Sequence, residues 1–406
     1  MREAVVVALW SKRHCLSLAL LVAVVTAAPA SVRAAACKYA AAAAKTVSLP
    51  DRPFGVRATA DGCWLFVSLV GSPQAGGAIA VLRNERGDFR LDHVAKVPGQ
   101  PSGMSLAQNG RVLAVAAQDR ILLIDVGKLE AANQQPVIAD VPDQPNTGVV
   151  YAQFALSDRW LFVSEEWKGR IAVVDVLRAE QGEGARAIVN RVVTGLGPVG
   201  LALSPDGLRL FATSEVTPPS ASMPSHCAPE RPGDKPRREG QLLAIDVRSA
   251  ATDSFKSVQA TRAAGCSPVR VTLSSDGAYA WVTARGDGEL LEFPARGMSG
   301  THASTTSVRY KVGSSPVGVA VRPDGREVWV ANSARFSDTG PGALTCISLT
   351  DGGQQVVRSG RFPRELIFLP DGKTLVASVF GSSALQFVPT ATAGGAAGRC
   401  DPARAG

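Results

Sequence analysis

Histidine is scarce in this 406-residue chain: there are four. Once a leader is set aside only His93, His226 and His302 remain, none close to another in sequence, and no two of the seven cysteines form a C-x-x-C pair. The usual spacings of a structural zinc site or of haem attachment are therefore missing, and no cofactor is expected. After residue 36 nothing approaches the roughly 20 apolar residues that cross a bilayer, so no transmembrane segment is expected. The net charge is +8, falling to +5 when Arg2, Lys12, Arg13, Arg33 and Glu3 leave with the leader. What basic excess remains is scattered, apart from Lys235-Pro-Arg-Arg-Glu239, and no nucleic-acid-binding motif organises it. It reads as solvated surface, with no nucleic-acid partner.

What is present begins with a signal peptide over residues 1–36. Basic Lys12-Arg13-His14 precedes the apolar run Leu16 to Val25, and small residues continue to Ala36. The chain is therefore expected to be exported, to the periplasm or beyond. Cleavage fits after Ala34 or after Ala36, the second placing Cys37 first. A lipoprotein signal would want Leu where Ala34 stands and no charge at Arg33, which argues against lipidation. Losing Cys15 leaves an even six cysteines, which permits disulfides in an oxidising compartment.

A pattern of Pro, an apolar alternation, Asp-Gly and a second alternation then recurs along the whole chain. Its clearest copies start at Gly197-Pro198 and Ser315-Pro316, and the turn residues are Asp61, Asn109, Asp158, Asp206, Asp276, Asp324 and Asp371. Period-two apolar runs on either side of Asp-Gly specify a hairpin. A third run, ending in Asp125, Asp175 or Asp246, and a fourth before the next Pro complete a four-stranded unit. The fold class is all-β: a seven-bladed β-propeller of antiparallel blades, spanning 37–400 as one domain with a tail at 401–406. The long gap between Asp206 and Asp276 places a Pro- and charge-rich insertion, 216–240, between the second and third strands of blade 4. The last blade lacks a fourth strand at its C-terminal end. Lys45-Thr-Val-Ser-Leu49 is expected to supply it, closing the ring and removing an open sheet edge.

With the Asp-Gly turns on the lower face, Cys227 in the insertion and Cys266 before Pro268 share the upper face and are the expected disulfide. Cys37, Cys63 and Cys400 lie near the lower face of the seam, where one pair among them is feasible. Cys346, inside a third strand, reads as a buried free thiol.

The second strands Val328-Trp-Val-Ala-Asn332 and Trp281-Val-Thr283, with Pro-x-Gly at Pro198 and Pro316, resemble the YVTN-repeat propeller family, from about Lys45 to Val388. Blades 1 to 3 depart most, with Asn109 for Asp and Arg159 for Gly. The resemblance extends to lactonase-like propellers, surface-layer proteins and subunits that dock quinone or haem partners. It implies a scaffold rather than an activity. The docking tryptophans of pyrroloquinoline-quinone enzymes and the marks of WD40 repeats are absent.

Ligands of propellers gather at the upper mouth of the channel. Two residues past the repeat's Pro position stand Gly55, Gly103, Ala152, Gly200, Arg270, Gly318 and Glu365, so Arg270 and Glu365 break a rule of small residues. They could form an anion clamp or acid, or a pair reaching water. Arg364 beside them and the loops after the second strands add candidate ligand-binding residues: Glu165, Glu166, Trp167, Arg285, Asp287, Asn332 and Arg335. Glu165, Asp287 and Asn332 come from separate blades, so no metal site is expected. The column Phe66, Phe162, Phe211, Trp281 and Trp329 reads as packing between blades. The first functional reading is a noncatalytic scaffold binding a small molecule or protein on its upper face, as a monomer. The second is a lactonase-like hydrolase, with a carboxylate (candidates Glu165 and Glu365) activating water and Arg270 or Arg285 holding the oxyanion. A third is a subunit docking an electron-transfer partner.

Overall fold

A computed structural model describes residues 37, 44–72, 74, 76–218, 227–231, 233–302, 308–336 and 340–390. The leader, Cys400 and the tail 401–406 lie outside the described residues. Seven antiparallel sheets follow one another around a ring. Their first strands, Pro53–Ala58, Pro101–Leu106, Val149–Ala155, Leu196–Leu203, Pro268–Leu273, Pro316–Val321 and Pro363–Phe368, are innermost and each packs on the next. The seam closes as expected: Lys45–Ser48 pairs antiparallel with Ala384–Pro389, placing Lys45 opposite Phe387 and Ser48 opposite Ala384. Blade 4 carries an unforeseen fifth strand, Gly300–His302, laid parallel to its fourth strand Val258–Ala263. No helix among the described residues is long and apolar enough to cross a membrane.

Local chemistry explains the repeat. In the hairpin turns the Asp carboxylate accepts the backbone N–H two residues on, as Asp206 does from Leu208 (3.0 Å) and Asp276 from Ala278 (2.9 Å). Asn109 accepts from Arg111 at 2.8 Å, so its amide oxygen serves in place of a carboxylate. The next residue takes a left-handed conformation, φ 72° at Gly325, which favours glycine. Blade 3, with Arg159 in that place, shifts the left-handed backbone to Leu156, Ser157 and Asp158. Asp158 is thereby freed to accept N–H groups of Gln108 (2.8 Å) and Asn109 (3.2 Å) in blade 2. The acidic ends of the third strands also gain a role, because Asp125, Asp175 and Asp246 cap one-turn helices Val126–Glu130, Val176–Glu180 and Val247–Ala250.

The aromatic column does pack between blades. Phe66 shares a core cluster with Met104 and Leu113 of blade 2, Phe162 with Val199 and Leu210 of blade 4, and Trp329 with Leu366 and Leu375 of blade 7. Each such side chain contributes about 1.5–3 kcal/mol by leaving water. Disulfides join Cys227 to Cys266, as expected, and Cys37 to Cys63. The Cys37 N–H also donates to Asp61 at 2.9 Å, tying the start of the described chain to the first hairpin turn. Cys346 corrects the expectation of a free thiol: it is disulfide-bonded. Its complete burial within a strand gave no sign of a bond that the spacing of cysteines leaves open.

Candidate functional site

A girdle of hydroxyls fixes the channel wall. Ser68, Ser164, Thr213, Thr283 and Ser378 occupy one second-strand position and donate to the first strand of the following blade, at Ser102, Val199, Val269, Val317 and Phe54 (2.6–3.2 Å). Where that column holds Ala116 in blade 2, the hydroxyl of Ser102 instead reaches the Val150 carbonyl at 3.1 Å. Each bond contributes on the order of 1 kcal/mol net and sets the approach of neighbouring strands. That approach explains the ring of small residues. A Cβ on Gly55 would stand 2.8 Å from the Ser102 carbonyl, and one on Gly200 would stand 2.6 Å from that of Val269.

The ring has three exceptions, one more than the sequence comparison finds. A bulge between Val149 and Tyr151 places Tyr151 opposite Ser164, so Tyr151 rather than Ala152 is the blade 3 member. Tyr151, Arg270 and Glu365 converge, joined by Arg57 from two residues past Gly55. Arg57 donates to Glu365 at 2.8 Å and to the Tyr151 hydroxyl at 3.2 Å, and that hydroxyl donates to the same carboxylate oxygen. Arg270 lies 4.2 Å from the Tyr151 ring centroid, and its Nε is 3.6 Å from Glu365. Burial alone would push the Glu365 carboxyl up, but Arg57, Arg270 and the donated hydrogen bonds outweigh it and hold it below the usual range. Burial and the adjacent Glu365 raise the Tyr151 phenol. Arg270 is 4% exposed, and its three guanidinium nitrogens are buried without a hydrogen bond among the described residues.

These four side chains head a cavity of about 540 Å³. Its walls are the far halves of the first strands, with Leu201, Val271, Val319 and Leu366, running to the turn residues Pro205 and Ser275. The spacious part of the channel therefore faces the lower, Asp-Gly face. At the upper mouth, where ligands were expected, the described residues form a pocket of about 20 Å³. It is lined by Glu166, Glu215, Arg285, Arg335, Phe362 and Arg364. The insertion crowds it: Arg285 grips Glu215 (2.8 and 3.0 Å) and Glu230 of the insertion (2.9 Å) together, and the Cys227–Cys266 bond ties the insertion beside them.

The sequence-derived candidates thus divide. Arg270 and Glu365 meet at the head of the cavity, whereas Arg364, Glu166, Arg285 and Arg335 gather at the upper mouth. Glu165 stands apart, buried against Arg170 and Arg191, with Asp143 on the other side of Arg191 at 2.6 Å. Asp287 accepts the Cys266 N–H at 2.8 Å, and Asn332 links Gly313 to Thr345, so both hold loops. Trp167 is 56% exposed on the rim. Sequence reasoning missed Tyr151 through the one-residue slip. It missed Arg57 because only one position per strand was compared; two residues on, the column reads Arg57, Ser105, Gln153, Ala202, Thr272, Ala320 and Ile367, where the arginine is conspicuous. Among the described residues no three His, Cys, Asp or Glu side chains are grouped to hold a metal.

No protein-family model matches the chain, and no curated protein does. Solved structures match it in fold. Hydrazine synthase of Kuenenia stuttgartiensis aligns with a TM-score of 0.61 at 17% identity, over 87% of this chain and 99% of that one. The β-propeller domain of Cps50 (Swd1) from Myceliophteria thermophila aligns with a TM-score of 0.60 at 13% identity, over 84% and 97%. At such identities the likeness concerns architecture, and the chain is a seven-bladed β-propeller similar to theirs.

Proposed function

We propose that this protein is an exported, noncatalytic binding scaffold that takes a small anionic molecule into its channel from the lower face. Export rests on the leader-like N-terminus and fits the disulfides. The scaffold belongs with YVTN-like propellers on the strength of its hairpins. One observation carries the ligand class: the buried guanidinium of Arg270 has no hydrogen bond and lines a cavity large enough for a ligand. Buried donors without hydrogen bonds are expensive to maintain, and the size and the mixed polar and apolar walls suit a ligand with an anionic head and an apolar body. Arg57 is committed to Glu365, so Arg270 supplies the donors.

The hydrolase reading draws less support. A general base must be ready to take a proton, and Glu365 accepts hydrogen bonds from Arg57 and Tyr151 on one oxygen and is held toward its ionised form by guanidinium groups, which lowers its basicity. Glu165 is equally enclosed by Arg170 and Arg191.

The test is calorimetric titration with a panel of straight-chain carboxylates, alkyl phosphates and uncharged lactones, alongside Arg270→Met. Binding of the anions alone, lost in Arg270→Met while its melting temperature stays level or rises, is the expected result. Turnover of a lactone, or anion binding undiminished in the variant, would overturn the proposal.

A further inference from the structure

The upper mouth poses a separate electrostatic problem. Arg364 stacks on Phe54, its Cζ 3.7 Å from the ring centroid, and its buried Nε has no hydrogen-bond partner. It makes no ion pair among the described residues, and neither does Arg335, which leans on Phe336 and Phe362 at 5.4 and 5.7 Å. Both guanidiniums line the same small space as Arg285, whose charge is already met by Glu215 and Glu230. Burial, then the neighbouring charges of Arg270 and Arg335, drive the Arg364 pKa far down. A guanidinium does not release its proton in a protein, so an anion placed beside it would relieve that disfavour. Glu166 shares the space without pairing: burial, then Glu215, raise its carboxyl, which weakens its claim to be the counter-ion.

We propose that the upper mouth is a binding site for a small inorganic anion of halide size, held by Arg335 and Arg364. Room decides the class. About 20 Å³ accommodates roughly one water-sized body, too little for a phosphate or an organic acid. Phe362 forms a weakly hydrated wall that both arginines approach, at 5.7 and 5.3 Å, and a soft, poorly hydrated halide tolerates such a surface. The site is distinct from the channel cavity, since Arg270 lines the one and Arg364 the other.

Sodium bromide is the probe. Crystals of the full-length protein soaked in it should show an anomalous peak within hydrogen-bond distance of Arg335 and Arg364. The melting temperature should rise with bromide or chloride and saturate, at an ionic strength fixed with gluconate, and Arg364→Gln should lose that rise. Should Arg364→Gln fail to fold, Glu166→Gln carries the test: removing a nearby negative charge should tighten bromide binding roughly tenfold. The proposal is overturned if the peak is absent, if acetate stabilises as well as bromide does, or if Glu166→Gln leaves bromide affinity unchanged. A bromide peak beside Arg270 alone also overturns it, while leaving the channel reading standing.

Discussion

The two ends of the channel use the same residue types to different effect. At the upper mouth Arg285, Arg237, Glu215 and Glu230 are interlaced, the insertion is tied down by a disulfide, and little space remains. At the lower end two arginines share one carboxylate, and the one with no hydrogen bond lines about 540 Å³. Charges that satisfy one another rigidify a structure, and their presence says little about ligands. Buried donors left without hydrogen bonds beside open volume are a stronger indication of binding, because the fold bears a cost that a ligand can offset.

Glu365→Leu is the sharpest way to break this contrast. It strips the shared carboxylate from Arg57 and Arg270, both buried or nearly so, and should destabilise the fold by about 3–5 kcal/mol in urea unfolding. A loss below about 1 kcal/mol would mean that the carboxylate is not what balances the lower cluster. Next in size, Cys227→Ser with Cys266→Ser should cost about 2–4 kcal/mol by releasing the insertion. Ligand affinity at Arg270 should survive this change, because the disulfide belongs to the other end; a parallel loss of affinity would join the two ends into one site.

The smallest effect has opposite signs at the two ends. The Glu365 pKa is depressed in the fold, so its stabilisation is present above the ordinary carboxyl pKa of 4.5 and is lost as pH falls through its folded value. The Glu166 pKa is raised, so its ionised form burdens the fold at neutral pH and the burden lifts as pH falls toward 4.5. Glu166→Gln should therefore be slightly more stable than the parent at pH 7, the difference vanishing by about pH 4. A variant less stable at pH 7 would show Glu166 to be a paired, stabilising anion.

Much of the architecture was legible because it repeats. Seven turns at near-constant spacing define seven blades, and the missing last strand points to Lys45–Ser48. Arg270 and Glu365 were legible as departures from a column of glycines whose reason is steric. Tyr151 was hidden because a bulge in one strand moves the register by a single residue, which no repeat pattern reports. The crowding of the upper mouth by the insertion was hidden as well. It depends on where an irregular insertion folds, and Glu230 meets Arg285 across 55 residues of chain without periodic signal.

The most direct test is to crystallise the protein with a bromine-labelled straight-chain carboxylate and locate the label by anomalous scattering. The account predicts a carboxylate on the Arg270 guanidinium and a bromine further down the channel, among Leu201, Val271, Val319 and Leu366. Bromine at the upper mouth or on the outer rim, with Arg270 untouched, would contradict it.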